Sequence, residues 1–408
     1  MSPLAAGPTG IDLDRVRAET PGVAERVYLN HAGASPNPTP VLDAVLAHLA
    51  EEARLGGYEA AAARADDLAG VHSSIARLVG GRADEIALTT SATDAWETAF
   101  WSIPWRAGDV VLTCRSEYVT NVVNLLVARD RLGIRVEVVD DDEHGQIDLD
   151  DLERRLDDAG VKLVALSHVP TQGGLVNPAE EVGRRCRDAG VLFLLDACQS
   201  AGQLPLDVAT IGCDVLTATG RKYLRAPRGT GFLFARNDVA ERLAPLGSGG
   251  AAWESPDTYR LPDGSARFER FERSVAASLG LGVAVEYALE LGLDAIESRV
   301  GGLARRLRDG LASIDGVAVR DLGARRCGIV TFDVAGSDPT DVRAALAERD
   351  VAVWVSDASQ ARIDMDARGF GSFVRASVHY LNTDDEIDAT LDLVARIASG
   401  ATGSGGRT

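Results

Sequence analysis

The sequence predicts an α/β fold, with a large domain on a mostly parallel sheet followed by a smaller α+β domain. Two observations carry this. Through the first two thirds of the chain, short runs rich in aliphatic and β-branched residues alternate with longer amphipathic ones. One of the short runs, 191–195, is apolar at every position, as a strand covered on both faces must be. A third observation marks the smaller domain: past residue 265 the alternation gives way to long helical stretches and isolated strands.

Taken in order, strands are expected at 85–90, 109–114, 134–139, 163–168, 191–196, 215–218 and 231–235. Helices are expected between them near 92–101, 119–131, 149–159, 178–188 and 238–243. Further on, 274–291 and 302–314 read as helices, and 317–320 and 328–334 as strands. Asp338 followed by Pro339 reads as an N-cap and first helical position. Thr383 and Glu386 have the spacing of a capping box for a last helix. The expected organisation is an N-terminal segment (1–25) that goes with the small domain, a large domain (26–265) and a small domain (266–400). A Gly/Ser-rich tail (401–408) is expected to be disordered. No internal repeat is visible.

Composition narrows the function classes. The 408 residues are 46% hydrophobic and 25% charged, enough apolar material for a large core. A net charge of −19 disfavours nucleic acid and anionic membranes as partners. The first residues lack a basic stretch followed by an apolar one, and no apolar run is long enough to span a bilayer. The five cysteines are odd in number and none forms a CxxC pair. They read as reduced thiols of a cytoplasmic protein, neither a disulfide frame nor a metal site.

Two nearby segments, 194–201 and 217–231, carry the chemical signal. Asp196 ends the fully apolar strand. A carboxylate there is costly unless it meets a cation or caps a helix, and both readings stay open on the residue alone. Lys222 follows a short strand and a Thr-Gly turn and precedes a Pro/Gly-rich loop. Lysines are scarce in this Arg-rich chain. A lysine held in a rigid loop after the strand of Asp196 has the placement a Schiff-base lysine requires. The run 89–94 feeds a helix start, where free N–H groups and the dipole suit a phosphate; simple threonine capping explains the same residues.

The pattern strand–Asp–x–x–Gln, then Thr–x–Arg–Lys–x–x–x–x–Pro–x–Gly, resembles the class V aminotransferase and cysteine desulfurase group of fold-type I enzymes dependent on pyridoxal 5′-phosphate (PLP). The resemblance runs from about residue 27 to 398. It implies that Lys222 carries the cofactor and that Asp196 faces the pyridine nitrogen. It implies that Gln199 bonds the phenolic oxygen, with Thr171 where the desulfurases have an Asn near that oxygen. Ala92, Thr93, Thr219 and Arg221 would hold the phosphate, with Arg221 in place of a family His. Tyr118 falls where a His stacks on the ring. His168 is a further candidate for touching the cofactor, with a core histidine as the alternative. The resemblance also implies a homodimer with shared sites, in which Ser274 would reach the partner's phosphate. On the substrate side, Arg375 matches the arginine that forks onto an α-carboxylate. Asn30, His31, Ala32 and Gly33 match the loop closing the other side, with His31 a possible acid, base or specificity group.

One departure is informative. The desulfurases carry a mobile Cys just before the carboxylate arginine, and 353–375 contains none here. The expected reaction is therefore carbon–sulfur β-lysis of a cysteine S-conjugate or related cysteine derivative. The chain also resembles C–S lyase-like homologues of bacterial secondary metabolism and relatives of isopenicillin N epimerase. An aminotransferase, an epimerase or a decarboxylating oxidative deaminase is the alternative of the same family. A non-catalytic PLP-binding protein is the alternative of another class.

Overall fold

A computed structural model describes residues 10–400; the tail expected at 401–408 lies outside the described residues. The chain opens with a short helix, Leu13–Ala18, capped by Asp12. Strand β1 (Val27–Tyr28) follows. Three helices, Thr39–Leu55, Gly57–Ala63 and Ala65–Val79, come next; the sequence pattern had not singled them out.

The central sheet then forms from β2 (Ile86–Thr89), β3 (Val110–Thr113), β4 (Arg135–Val138), β5 (Val161–Ser167), β6 (Leu192–Asp196), β7 (Val215–Thr219) and β8 (Gly231–Ala235). Their order is β2-β8-β7-β6-β5-β3-β4. Only β8 runs against its neighbours, pairing antiparallel with both β2 and β7. All seven strands lie within a residue or two of the expected positions. The alternation of side chains explains why the sheet is buried on both sides. Val111, Leu163, Ala165, Leu194 and Leu233 pack against Trp96, Phe100 and Leu125 from helices Ala92–Ser102 and Val119–Leu132. Their neighbours Leu112, Val164, Leu166, Phe193, Leu195 and Phe232 turn to the other face, where Ile75, Val182, Leu281 and Val285 meet them.

A small exposed hairpin, β9 (Ala252–Ser255) and β10 (Thr258–Arg260), follows the sheet. Helix Val275–Leu291 packs on Thr39–Leu55 and Ala65–Val79, beside the large sheet. Gly292, with φ +83°, breaks it from Leu293–Ala312. That second helix starts well before the expected 302. Gly301 and Gly302 lie inside it, at positions where a Cβ would meet nothing.

The second sheet contains β11 (Val317–Val319), β12 (Ile329–Val334), β14 (Trp354–Asp357) and β15 (Ser372–Ser377), all antiparallel in the order β11-β12-β15-β14. Between them β13 (Val351–Ala352) pairs in parallel with β1. The N-terminal segment is thus stitched to this layer, and Arg17 adds a hydrogen bond to the Leu381 carbonyl (2.8 Å). The expected Asp338 cap and Thr383–Glu386 capping box are both formed. Among the described residues no single helix is long and apolar enough to cross a membrane.

Candidate active site

The residues singled out in the sequence converge at the carboxyl ends of β5, β6 and β7, where an open α/β sheet places its ligands. Asp196 is the last residue of β6 and is buried. Its Oδ2 accepts from Asn121 Nδ2 (2.9 Å) and its Oδ1 from the Cys198 amide (2.8 Å). Burial pushes its carboxyl upward, opposed by those two hydrogen bonds and by the charge of Lys222. Each oxygen keeps a lone pair for a further donor.

Lys222 lies just past β7 and is 6% exposed. Burial is the main cause holding its ammonium below the usual lysine range; Arg221 adds to it, while Cys198 and Asp196 oppose it. A lysine so placed gives up its proton readily, as a nucleophilic amine must. Cys198 and Lys222 act on each other's charge, so one of the thiols read from sequence as reduced lies near the lysine.

Gln199 Nε2 donates to Ala32 O (3.1 Å) and to Thr171 Oγ1 (3.2 Å), while its Oε1 is buried without a partner among the described residues. Thr171 is a hinge point: its carbonyl and its hydroxyl oxygen both accept from Arg375 Nη1 at 2.9 Å. Arg375 stands in the middle of β15, 3% exposed, with Nη2 on Asn30 Oδ1 (3.3 Å) and Nε unpartnered. No carboxylate pairs with it among the described residues. Burial brings its guanidinium down to about 10.

The loop 30–33 closes the cluster. Ala32 N donates to Ser377 Oγ (2.9 Å), Gly33 O accepts from Arg221 Nη1, and Ser35 N donates to Arg221 O (2.8 Å). His31 is fully buried between Tyr28 and His379, with Nδ1 on Ser35 Oγ (2.9 Å). Burial, reinforced by Arg225, lowers it to about 3. It therefore stays neutral near pH 7, which suits positioning better than proton donation.

The turn expected to hold phosphate is a helix start. Ser91 caps helix Ala92–Ser102 by accepting from Asp94 N (3.0 Å), and the amides of Ala92 and Thr93 precede the first bond of the helix, Ala95 N to Ser91 O. Gly231 at the start of β8 presses against this turn: a Cβ there would lie 2.5 Å from Ser91 C. Thr219 Oγ1 donates to Thr230 O (3.2 Å), leaving its lone pairs free. Tyr118 is the residue before helix Val119–Leu132. Burial raises its phenol, and the charges of Cys198, Arg221, Asp196 and Arg375 all act on it.

Two candidates stand apart. Ser274 caps its own helix, accepting from Ala277 N (3.1 Å), and joins no residue of this cluster. His168 is buried behind the site on Ser200 Oγ (3.0 Å) and is lowered to about 4 by burial. Sequence reasoning missed Glu117 and Asn121, which stand behind Asp196. Their i,i+4 spacing at a helix start was visible, but nothing in it pointed to a partner on another strand.

The arrangement fits PLP. It offers an amine of lowered basicity, a buried carboxylate with spare lone pairs, an orphaned amide oxygen and a helix N-terminus for phosphate. Comparison with known proteins agrees. The model of the family "Aminotransferase class-V" matches residues 27–390. A probable cysteine desulfurase of Methanothermobacter thermautotrophicus is 31% identical over 94% of this chain and 97% of its own. A probable hercynylcysteine sulfoxide lyase of Mycobacterium tuberculosis is 31% identical over 99% and 98%. The solved cysteine desulfurase of Thermococcus onnurineus superposes with a TM-score of 0.89 at 26% identity, covering 97% of this chain and 100% of that one. The chain belongs to the class-V aminotransferase family and is a PLP-dependent enzyme of fold type I.

Proposed function

We propose that this enzyme is a carbon–sulfur β-lyase acting on a cysteine S-conjugate, sulfoxide or related cysteine derivative, a reaction that suits secondary metabolism. The observation that carries the reading is a site with Lys222 and Arg375 in place and no cysteine anywhere in 353–375. Sulfur leaving the substrate then meets no thiol from the segment that leads into Arg375. The likeness to the sulfoxide lyase over nearly the whole chain supports the same choice.

Arg375 is the carboxylate receptor. Its charge is buried without an anion, and a planar substrate carboxylate supplies one, with Thr171 and Asn30 holding the fork in its plane. Bound in the site, PLP supplies a carbonyl for the substrate amine and an electron sink for charge developing at Cα. Lys222 Nζ, whose basicity burial lowers, is the group to take the Cα proton as general base. Asp196 would accept the ring-nitrogen proton at the floor of the site, and Gln199 Oε1, free of a partner, would accept from the phenolic O–H. Tyr118 and loop 30–33 exclude water from above. The sulfur then leaves Cβ with the bonding pair, as a thiolate from a thioether or a sulfenate from a sulfoxide, and hydrolysis of the remaining enamine gives pyruvate and ammonia.

The test is a panel of cysteine, cystine, S-alkyl cysteines and their sulfoxides, followed by assays for pyruvate and thiol. Pyruvate with free thiol or its oxidised product establishes the lyase. Build-up of pyridoxamine phosphate would establish an aminotransferase, and alanine with sulfide from free cysteine a desulfurase. A visible absorbance that no amino acid perturbs would mean a PLP-binding protein without catalysis. Lys222→Ala should abolish both the visible absorbance and turnover.

A further inference from the structure

Glu117 takes no part in the steps above, yet it is a second buried carboxylate directly behind Asp196. Its Oε1 accepts from Tyr118 N (2.8 Å), Asn121 Nδ2 (2.9 Å) and Ser167 Oγ (2.5 Å), and its Oε2 from Thr113 Oγ1 (3.2 Å). These donors come from the ends of β3 and β5 and from the start of helix Val119–Leu132. No cation pairs with Glu117 among the described residues. The same Asn121 Nδ2 donates to Asp196 Oδ2 (2.9 Å), so one amide group bridges two carboxylates.

A core plug needs no such arrangement. A buried carboxylate is costly, and an apolar side chain would fill the volume more cheaply. Burial, and then the charge of Asp196, push Glu117 up to about 7, the mark of two acids that feel each other. We propose that Glu117 is a positioning residue for the cofactor: through Asn121 it orients Asp196 and strengthens its hold on a ring-nitrogen proton, and through the Tyr118 amide it fixes the stacking ring. An acceptor on Asn121 keeps that side chain from rotating. Held by Asn121 and by the Cys198 amide, Asp196 turns its remaining lone pairs to a donor in front of it. The proposal rests on reading Asp196 as the partner of the cofactor's ring nitrogen.

The experiment is a double-mutant cycle of Glu117→Gln with Asp196→Asn, read as the PLP dissociation constant of the full-length apo-protein and its melting temperature. Glu117→Gln keeps the shape and the accepting oxygen. It should weaken PLP by roughly tenfold, the fold-change of one lost hydrogen bond to a charged group, without lowering the apo-protein melting temperature. In the Asp196→Asn background it should add nothing. Wild-type PLP affinity in Glu117→Gln overturns the proposal. So does a loss of equal size in the Asp196→Asn background, or one matched by a fall in apo-protein stability. Asp196→Asn with undiminished PLP affinity would instead sink the reading of Asp196 itself. If Glu117→Gln does not fold, Asn121→Ala runs the same cycle with the same outcomes.

Discussion

Arg225 and Arg375 are both buried guanidinium groups, and they differ in how many of their donors are used. Arg225 bonds Pro36 O (3.1 Å), Tyr380 Oη (2.9 Å) and Thr20 Oγ1, and so locks the backbone of its own loop. Arg375 leaves Nε orphaned. An unpaired buried charge lowers stability unless a ligand completes it. Arg375→Lys keeps the charge but loses the fork. It should raise KM for an amino-acid substrate by roughly tenfold or more, the value of a hydrogen bond to a charged group, with little change in melting temperature. Unaltered KM would mean that the carboxylate binds elsewhere. His168 gives the residue scale a pH test. Its folded value is about 4, held down by burial, against 6.5 for the free side chain. Between these values the unfolded chain binds the extra proton, so the stability tied to neutral His168 is full above pH 6.5 and is lost as pH falls toward 4. Relative to His168→Gln, the wild type should lose about 3 kcal/mol of urea-unfolding free energy between pH 7 and 4. A pH-independent difference would mean that His168 titrates normally.

At the scale of elements, Gly231 shows how the sheet holds the phosphate turn. Its Cβ would meet only backbone: Ser91 C at 2.5 Å, with Ser91 O and Ala218 O at 2.8 Å. None of these can swing away. Gly231→Ala should therefore part β8 from the turn at Ser91, costing about 1–3 kcal/mol as overpacking does. PLP affinity should fall with it, because the amides of Ala92 and Thr93 move. Calorimetry with and without PLP checks both, and a stable variant with normal affinity would show that the turn is not the phosphate site. Which elements could be read from sequence has a physical reason. The central strands are apolar on both faces and end in chemically distinctive residues, so they and the cluster at Asp196, Gln199 and Lys222 stood out. The helices Thr39–Leu55 and Ala65–Val79 did not. The first of these carries Leu42, Leu46 and Leu49 outward as well as Val41 inward, which erases a one-sided stripe. Hairpin β9–β10 is exposed almost throughout, so no alternation marks it. Glu117 and Asn121 were missed for a different reason: the partner of Asn121 is 75 positions away, and only the pairing of β3 with β5 and of β5 with β6 brings it near.

At the scale of the whole molecule, the outward leucines ask what covers them. Leu42, Leu46 and Leu49 are each about half exposed and lie on one face of helix Thr39–Leu55, at i, i+4 and i+7. Trp253, Tyr259 and Phe271, on and just after the hairpin, are 80%, 69% and 72% exposed. Single exposed apolar residues are ordinary, but clusters of this kind on a globular chain mark contact surfaces. A net charge of −19 opposes random self-association, so any pairing must rest on such a specific apolar face. A homodimer, expected from family resemblance, would answer this and would give Ser274 a role, because within one chain that residue caps its helix and joins no residue of the site cluster. The expected outcome in sedimentation is a species of twice the 43.0 kDa chain mass at micromolar concentration. Leu46→Glu with Phe271→Glu should shift it to the monomer, since burying two charges in an apolar interface costs several kcal/mol. If the partner completes each phosphate site, that monomer should also release PLP on dilution while keeping its melting temperature as apo-protein. A monomeric wild type, or a variant monomer that retains PLP as the wild type does, would confine every cofactor contact to a single chain.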